Sequence, residues 1–235
     1  MKKIALTSIA ALMMGVMSAG AAETCTTCGS NTKVFFGFSA GMYGINYDSI
    51  VDYMFKSGNL FGDASDPDKV PHITFPKTDT MIGMEAGMRF GGYKSVWNGG
   101  FTLAADKTLG KKPDVQASDA VWSGMPKMLN TVLKELKAST NILSATFDNY
   151  IRLNKSMENR VDFVVGVGAA SIETNVNLMG LGLSFDCHAA VLKAGLEIQL
   201  TDVISMTLGS RMYMPIASQY FDTSYALKGG FKFSF

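Results

Sequence analysis

Period-two alternation organises most of this chain. From Thr80 to Gly91, Ile82, Met84, Ala86, Met88 and Phe90 fall on one parity, and Gly83, Glu85, Gly87, Arg89 and Gly91 on the other. A strand sends successive side chains to opposite faces, so the pattern predicts a strand with one apolar face. Val34, Phe36, Phe38, Ala40 and Met42 alternate in the same way with Phe35, Gly37, Ser39, Gly41 and Tyr43. The pattern returns at 97–105, 143–153, 161–170, 190–200, 204–214 and 225–235, which makes eight segments. Each is near the roughly 9–11 residues with which a tilted strand crosses a bilayer.

Charges gather on the polar parity: Glu85 with Arg89, Asp148 with Arg152, Lys193 with Glu197, Lys228 with Lys232. A spacing of four also suits a helix, but the alternating apolar residues and frequent glycine decide for strands. The connections alternate in length. Residues 48–79, 106–140, 171–187 and 215–224 read as long links, and 91–96, 154–159 and 201–203 as short ones. An even-stranded membrane barrel has short periplasmic turns and longer external loops, with both ends of the chain in the periplasm. The second long link carries a helical signal. Val121, Trp122, Met125, Met128, Leu129, Val132, Leu133 and Leu136 recur at helical spacing within 119–138, and Pro126 suits a first turn. An amphipathic helix is expected there.

Composition narrows the picture. The chain has 235 residues, 24 Gly, 6 Pro, 17% charged residues and a formal net charge of +1. That suits one barrel domain and argues against nucleic acid as a partner. No apolar run in the body of the chain reaches the roughly 20 residues of a transmembrane helix. The start reads as a signal peptide: Lys2 and Lys3, an apolar stretch from Ile4 to Met17, then small residues, with cleavage expected after Ala21 or Ala22. The expected layout is a signal peptide at 1–22, a short periplasmic tail at 23–33, and a barrel at 34–235 with long external loops near 48–79 and 106–140. Cys25 and Cys28 form a C-x-x-C in a Thr-, Gly- and Ser-rich tail, a candidate disulfide without the context of a redox centre. With only Cys187, His72 and His188 besides, no metal site and no cofactor are expected.

Alternation alone does not say which face meets water, because a soluble barrel places its apolar residues inside and a membrane barrel outside. The polar parity here is rich in Gly, Ala, Ser and Thr, which suit a crowded eight-strand lumen. Its charges are of mixed sign: Glu85, Asp148, Asp162 and Glu197 against Arg89, Arg152, Lys193, Arg211, Lys228 and Lys232. Such a set can pair across a narrow lumen, where an unpaired charge is costly. The apolar parity is uncharged in every segment, as lipid demands, and Phe90, Trp97, Tyr225 and Phe233 fall near segment ends, where interfacial girdles belong. The expected fold is therefore all-β: an eight-stranded antiparallel transmembrane up-and-down barrel with an amphipathic helix in the second external loop.

The final residues, Leu227 to Phe235, resemble the closing strand of bacterial outer-membrane barrels of the small OmpA- or OmpX-like class and related surface antigens. Phe231, Phe233 and Phe235 carry the resemblance together with the signal peptide. It implies an outer-membrane location, recognition of the terminal aromatics by periplasmic chaperones and barrel-insertion machinery, and contact with outer-membrane lipid and lipopolysaccharide.

Three functions compete. The first is a structural, surface-antigen or adhesive barrel, its lumen plugged by paired charges and its loops open to an extracellular ligand. Its first loop carries an apolar cluster, Tyr53, Met54, Phe55, Leu60 and Phe61, among Asp63, Asp66 and Asp68, which suits packing on the barrel rim more than a binding epitope. The second is a narrow porin-like channel, which a filled eight-strand lumen disfavours. The third is a lipid-modifying enzyme built on Ser184, Asp186 and His188, but alternate residues of a strand share a face without any catalytic reason. The expectation is the first, with no catalytic residues.

Overall fold

The computed structural model describes residues 32–45, 72–74, 76–91, 96–112, 114–116, 136–154, 160–178, 181–216 and 221–235. The signal peptide, Cys25, Cys28, the apolar cluster of the first loop and the body of the expected helix lie outside the described residues. At the expected helix's end, Lys137 and Ala138 are strand. The strands are β1 (Lys33–Gly44), β2 (His72–Thr74), β3 (Thr78–Phe90), β4 (Trp97–Thr108), β5 (Asp114–Gln116), β6 (Lys137–Arg152), β7 (Val161–Leu178), β8 (Leu181–Gln199), β9 (Ile204–Pro215) and β10 (Ser224–Ser234).

Eight of them close into one antiparallel barrel in the order β1-β10-β9-β8-β7-β6-β4-β3, so every pair is sequential except the closing seam. The seam joins β1 to β10, with Phe36 opposite Phe233 and Phe38 opposite Phe231. The short β2 and β5 pair with each other and link the first two long connections above the barrel. The short connections, 91–96, 153–160 and 200–203, share one end of the barrel, which marks it as periplasmic.

Parity sorts the side chains as alternation predicts. Phe38, Ile82, Phe147, Val167, Leu208 and Phe231 are exposed on the outer wall, and Glu85, Asp148, Glu197, Arg211, Lys228 and Lys232 are buried inside. On β4 the apolar outer row runs from Trp97 to Ala105 and gives way to exposed Lys107. Ten residues of strand at about 3.3 Å each, tilted by about 40°, rise about 25 Å, the height of an outer-membrane apolar band. The lumen is tight. A Cβ added at Gly41 or Gly168 would strike the carbonyl oxygen of Leu227 or Ala145 on the neighbouring strand, so these inward positions take only glycine.

One expected element is corrected. Residues 171–187 are not a long link: β7 and β8 continue through them and pair from Val161 with Ile198 up to Leu178 with Leu181. Here the parity inverts. Ser171 and Asn177 are exposed outward, while Ile172, Val176, Cys187 and Ala189 are buried inward. Above the membrane the outer face meets water and the inner face packs a core, so the apolar residues change sides. β6 shows the same inversion, with Lys137 exposed while Ala138 and Ile142 are buried.

Candidate functional site

The lumen has two storeys. The outer one is an apolar plug of buried Tyr43, Met81, Ile142, Ile172, Val191 and Tyr213, with Leu136 and Phe221 joining from the connections. Tyr43 and Tyr213 meet edge to face with centroids 6.0 Å apart. Tyr43 Oη shares a hydrogen bond with Ser224 Oγ at 2.8 Å. Thr140 Oγ1 and Thr174 Oγ1 share another at 3.0 Å, and Thr140 N–H donates to Thr108 Oγ1 at 2.8 Å. The plug thus satisfies these polar groups within itself, as a dry interior requires.

The inner storey is ionic. Inward parity on β3, β4, β7, β8, β9 and β10 presents charges that interlace across the bore. Lys228 Nζ reaches Asp106 Oδ1 at 2.6 Å, and Asp106 Oδ2 meets Arg211 Nη1 at 3.2 Å. Arg211 Nη2 holds Glu85 Oε2 at 2.9 Å, and Glu85 Oε1 lies 3.7 Å from Lys232 Nζ. Lys232 holds Glu197 Oε2 at 2.7 Å, which in turn lies near Arg89 through its other oxygen at 3.7 Å. Arg89 Nη2 binds Asp162 Oδ2 at 2.8 Å, and Arg160 Nε closes the series on the same oxygen at 2.8 Å. Five cations and four carboxylates therefore alternate in one continuous series. A separate pair, Lys193 Nζ to Asp148 Oδ2 at 2.7 Å, is supported by a hydrogen bond from Thr102 Oγ1 at 2.6 Å. Arg152 stands opposite Asp162 in the β6–β7 register.

Aromatic faces complete the packing. Arg89 lies 4.4 Å from the centroid of Tyr150, and Lys232 lies 4.2 Å from that of Phe35. Such contacts suit cations removed from water. At the periplasmic mouth, Asn98, with its amide oxygen turned toward the guanidinium groups, accepts from Arg89 Nη2 at 3.0 Å and Arg160 Nη2 at 2.9 Å. Burial, only partly offset by the hydrogen bond to Asp162, holds the Arg160 guanidinium below its ordinary range.

All ten charges expected in the lumen face inward. Two that matter were missing from that set. Asp106 joins Lys228 to Arg211, and it falls on the inward parity of β4, one alternation beyond the point where the apolar pattern of 97–105 ended. Arg160 precedes β7 by one residue on the parity of Asp162, between the turn read at 154–159 and the strand read from Val161. Phe231, Phe233 and Phe235 face outward on β10 and just beyond it.

The other candidate site is not assembled. Ser184, Asp186 and His188 stand exposed on the outward face of β8. Successive ones are roughly 7 Å apart along the strand, beyond hydrogen-bond reach. Ser184 Oγ donates instead to Glu173 Oε1 on β7 at 2.9 Å. Among the described residues, no group of three or more His, Cys, Asp or Glu is placed to hold a metal.

No protein-family model matches the chain, and no curated protein is similar to it in sequence. Solved structures do resemble it. The attachment invasion locus protein Ail of Yersinia pestis, solved with the heparin analogue sucrose octasulfate, aligns at TM-score 0.50 and 11% identity over 87% of this chain and 99% of its own. Neisserial surface protein A aligns at TM-score 0.46 and 9% identity over 88% of this chain and 99% of its own. The outer membrane protease OmpT of Escherichia coli aligns more loosely, at TM-score 0.40 and 7% identity over 92% of this chain and 99% of its own. At such identities the likeness is one of fold alone, and a fold does not name an activity. The chain is an eight-stranded transmembrane β-barrel of the kind found in bacterial outer membranes.

Proposed function

We propose that this protein is a non-conducting outer-membrane anchor that presents its external hairpin and loops as a surface for contact outside the cell. The observation that carries this reading is the two-storey filling of the lumen. A void of about 50 Å³ bordered by Ser39, Glu85, Lys193, Lys228 and Lys232 has room for a few waters and for no solute. A selective pore presents charges of one sign along its path. Here cations and carboxylates neutralise each other in series. The second support is the β7–β8 hairpin, which continues past Ala189, where β9 ends its pairing at Pro215. It carries polar outward residues, Ser171, Glu173, Asn175 and Asn177, beyond the apolar band. That is a rigid platform built from strands instead of loops, suited to an adhesive or antigenic role.

Planar-bilayer recording tests the reading. The folded chain is expected to add no conductance steps above the bare bilayer, at neutral pH and in molar salt. Regular single-channel steps from the purified monomer would replace the anchor with a pore. A double variant that removes the central links, Arg211→Ala with Lys232→Ala, is expected to open a measurable leak, provided it still shows the folded gel mobility.

A further inference from the structure

The outer face of the external rim carries a cationic groove that neither the lumen nor the fold requires. Exposed Lys107 and Lys137, with Leu109, Ser139, Asn175 and Asn177, border a groove of about 490 Å³ across β4, β6 and β7. Lys111 and Lys112 flank it, and Lys111 bridges to Ala138 beside Lys137. Among the described residues, no carboxylate lies within 4.0 Å of any of these four lysines, although the lumenal cations nearly all have one. The nearest acid in register is Glu173, opposite Asn141, which is itself opposite Lys107. Glu173 already accepts from Ser184 Oγ at 2.9 Å. Asp106, beside Lys107 in sequence, points into the lumen and is held by Lys228 and Arg211.

Position decides what the groove meets. Lys107 follows Phe101, Leu103 and Ala105 on the same outward row and stands opposite exposed Ile82. It therefore sits at the upper edge of the hydrocarbon band, where a long cationic side chain lifts its head to the interface. Lys137 lies four residues along β6 from Asn141, the partner of Lys107, which at a strand tilt of about 40° puts it on the order of 10 Å higher. The cations thus span a headgroup layer instead of a single point. Ser139, Asn175 and Asn177 supply hydroxyl and amide groups between them, the chemistry that sugars accept.

We infer that this groove binds the phosphorylated sugar headgroup of an outer-leaflet glycolipid, with Lys107 and Lys137 contacting separate phosphates. A phosphate brings strong acceptor oxygens to ammonium groups that no carboxylate among the described residues reaches. A lipid source fits because Lys107, Lys137, Ser139 and Asn177 lie on the outward parity that continues the lipid-facing wall upward. The inference does not depend on whether the lumen conducts.

The test uses the full folded chain in detergent micelles, titrated with diphosphorylated lipid A and with the same lipid after phosphatase treatment. Lys107→Gln with Lys137→Gln is expected to weaken binding of the phosphorylated lipid at least tenfold and to leave the dephosphorylated lipid unaffected. Lys107→Arg with Lys137→Arg is expected to retain tight binding. Both pairs change exposed side chains, so folded gel mobility should persist; if the double variant fails to fold, the single Gln variants read the same effect. Unchanged affinity in the Gln variants overturns the site. So does a soluble sulfated polysaccharide that occupies the groove while phosphorylated lipid A does not, which would make the ligand a free polyanion.

Discussion

Asp106→Ala is expected to destabilise the folded barrel by about 3–5 kcal/mol, the cost of leaving a buried charge without its partner. Asp106 holds Lys228 through both oxygens at 2.6 and 2.8 Å and Arg211 through one at 3.2 Å. Arg211 would keep Glu85 and Ser144. Lys228, 8% exposed, would keep no carboxylate partner among the described residues. The loss should therefore fall mainly on Lys228, and Asp106→Ala with Lys228→Met should recover a large part of it. That non-additivity separates an ion-pair effect from a packing effect. Urea unfolding in lipid vesicles, followed by fluorescence and gel mobility, measures all three variants. A single-variant cost below about 1 kcal/mol, the range of solvent-exposed pairs, would mean that water reaches the lumen freely.

The second large effect is on the opposite face. Leu208→Arg is expected to cost about 2–4 kcal/mol, and Leu200→Arg, near the periplasmic edge, about 0–1 kcal/mol. Leu208 is 56% exposed and paired in register with Leu196 and Gly229, in the middle of the apolar band. On a soluble barrel an exposed Leu→Arg change is nearly neutral at either depth. The gradient is thus a property of the solvent and not of the fold. Equal and small effects at both sites would place the wall in water.

The membrane-crossing part was legible in the sequence because lipid outside and charge inside reinforce one another at every second residue. Ile82, Met84 and Met88 against Glu85 and Arg89 need no further information. The external extension was not legible for the same physical reason turned around. At Ile172, Thr174 and Val176 the inner parity is the one that packs, and at Ser171, Glu173 and Asn175 the outer parity meets water. An alternation whose sense reverses midway along a strand reads as a strand that stops. Asp106 was lost at that boundary, since its outward neighbour Lys107 already belongs to the headgroup layer. The rim groove was not legible at all. Its lysines come from 107–112 and from 137, and only the β4–β6 pairing brings them together.

The interlaced charges also bear on how the closing strand finds its place. Parity constrains a strand only to steps of two residues, and a slip of two keeps every apolar side chain against lipid. Nothing on the outer wall of β10 forbids such a slip, because Leu227, Gly229, Phe231 and Phe233 are interchangeable there. Inside, the slip would carry Lys228 and Lys232 several ångströms along the bore, away from Asp106 on β4 and Glu197 on β8, strands with which β10 does not itself pair. Lipid thus sorts inside from outside, while these two lysines select one alignment among those that lipid would accept.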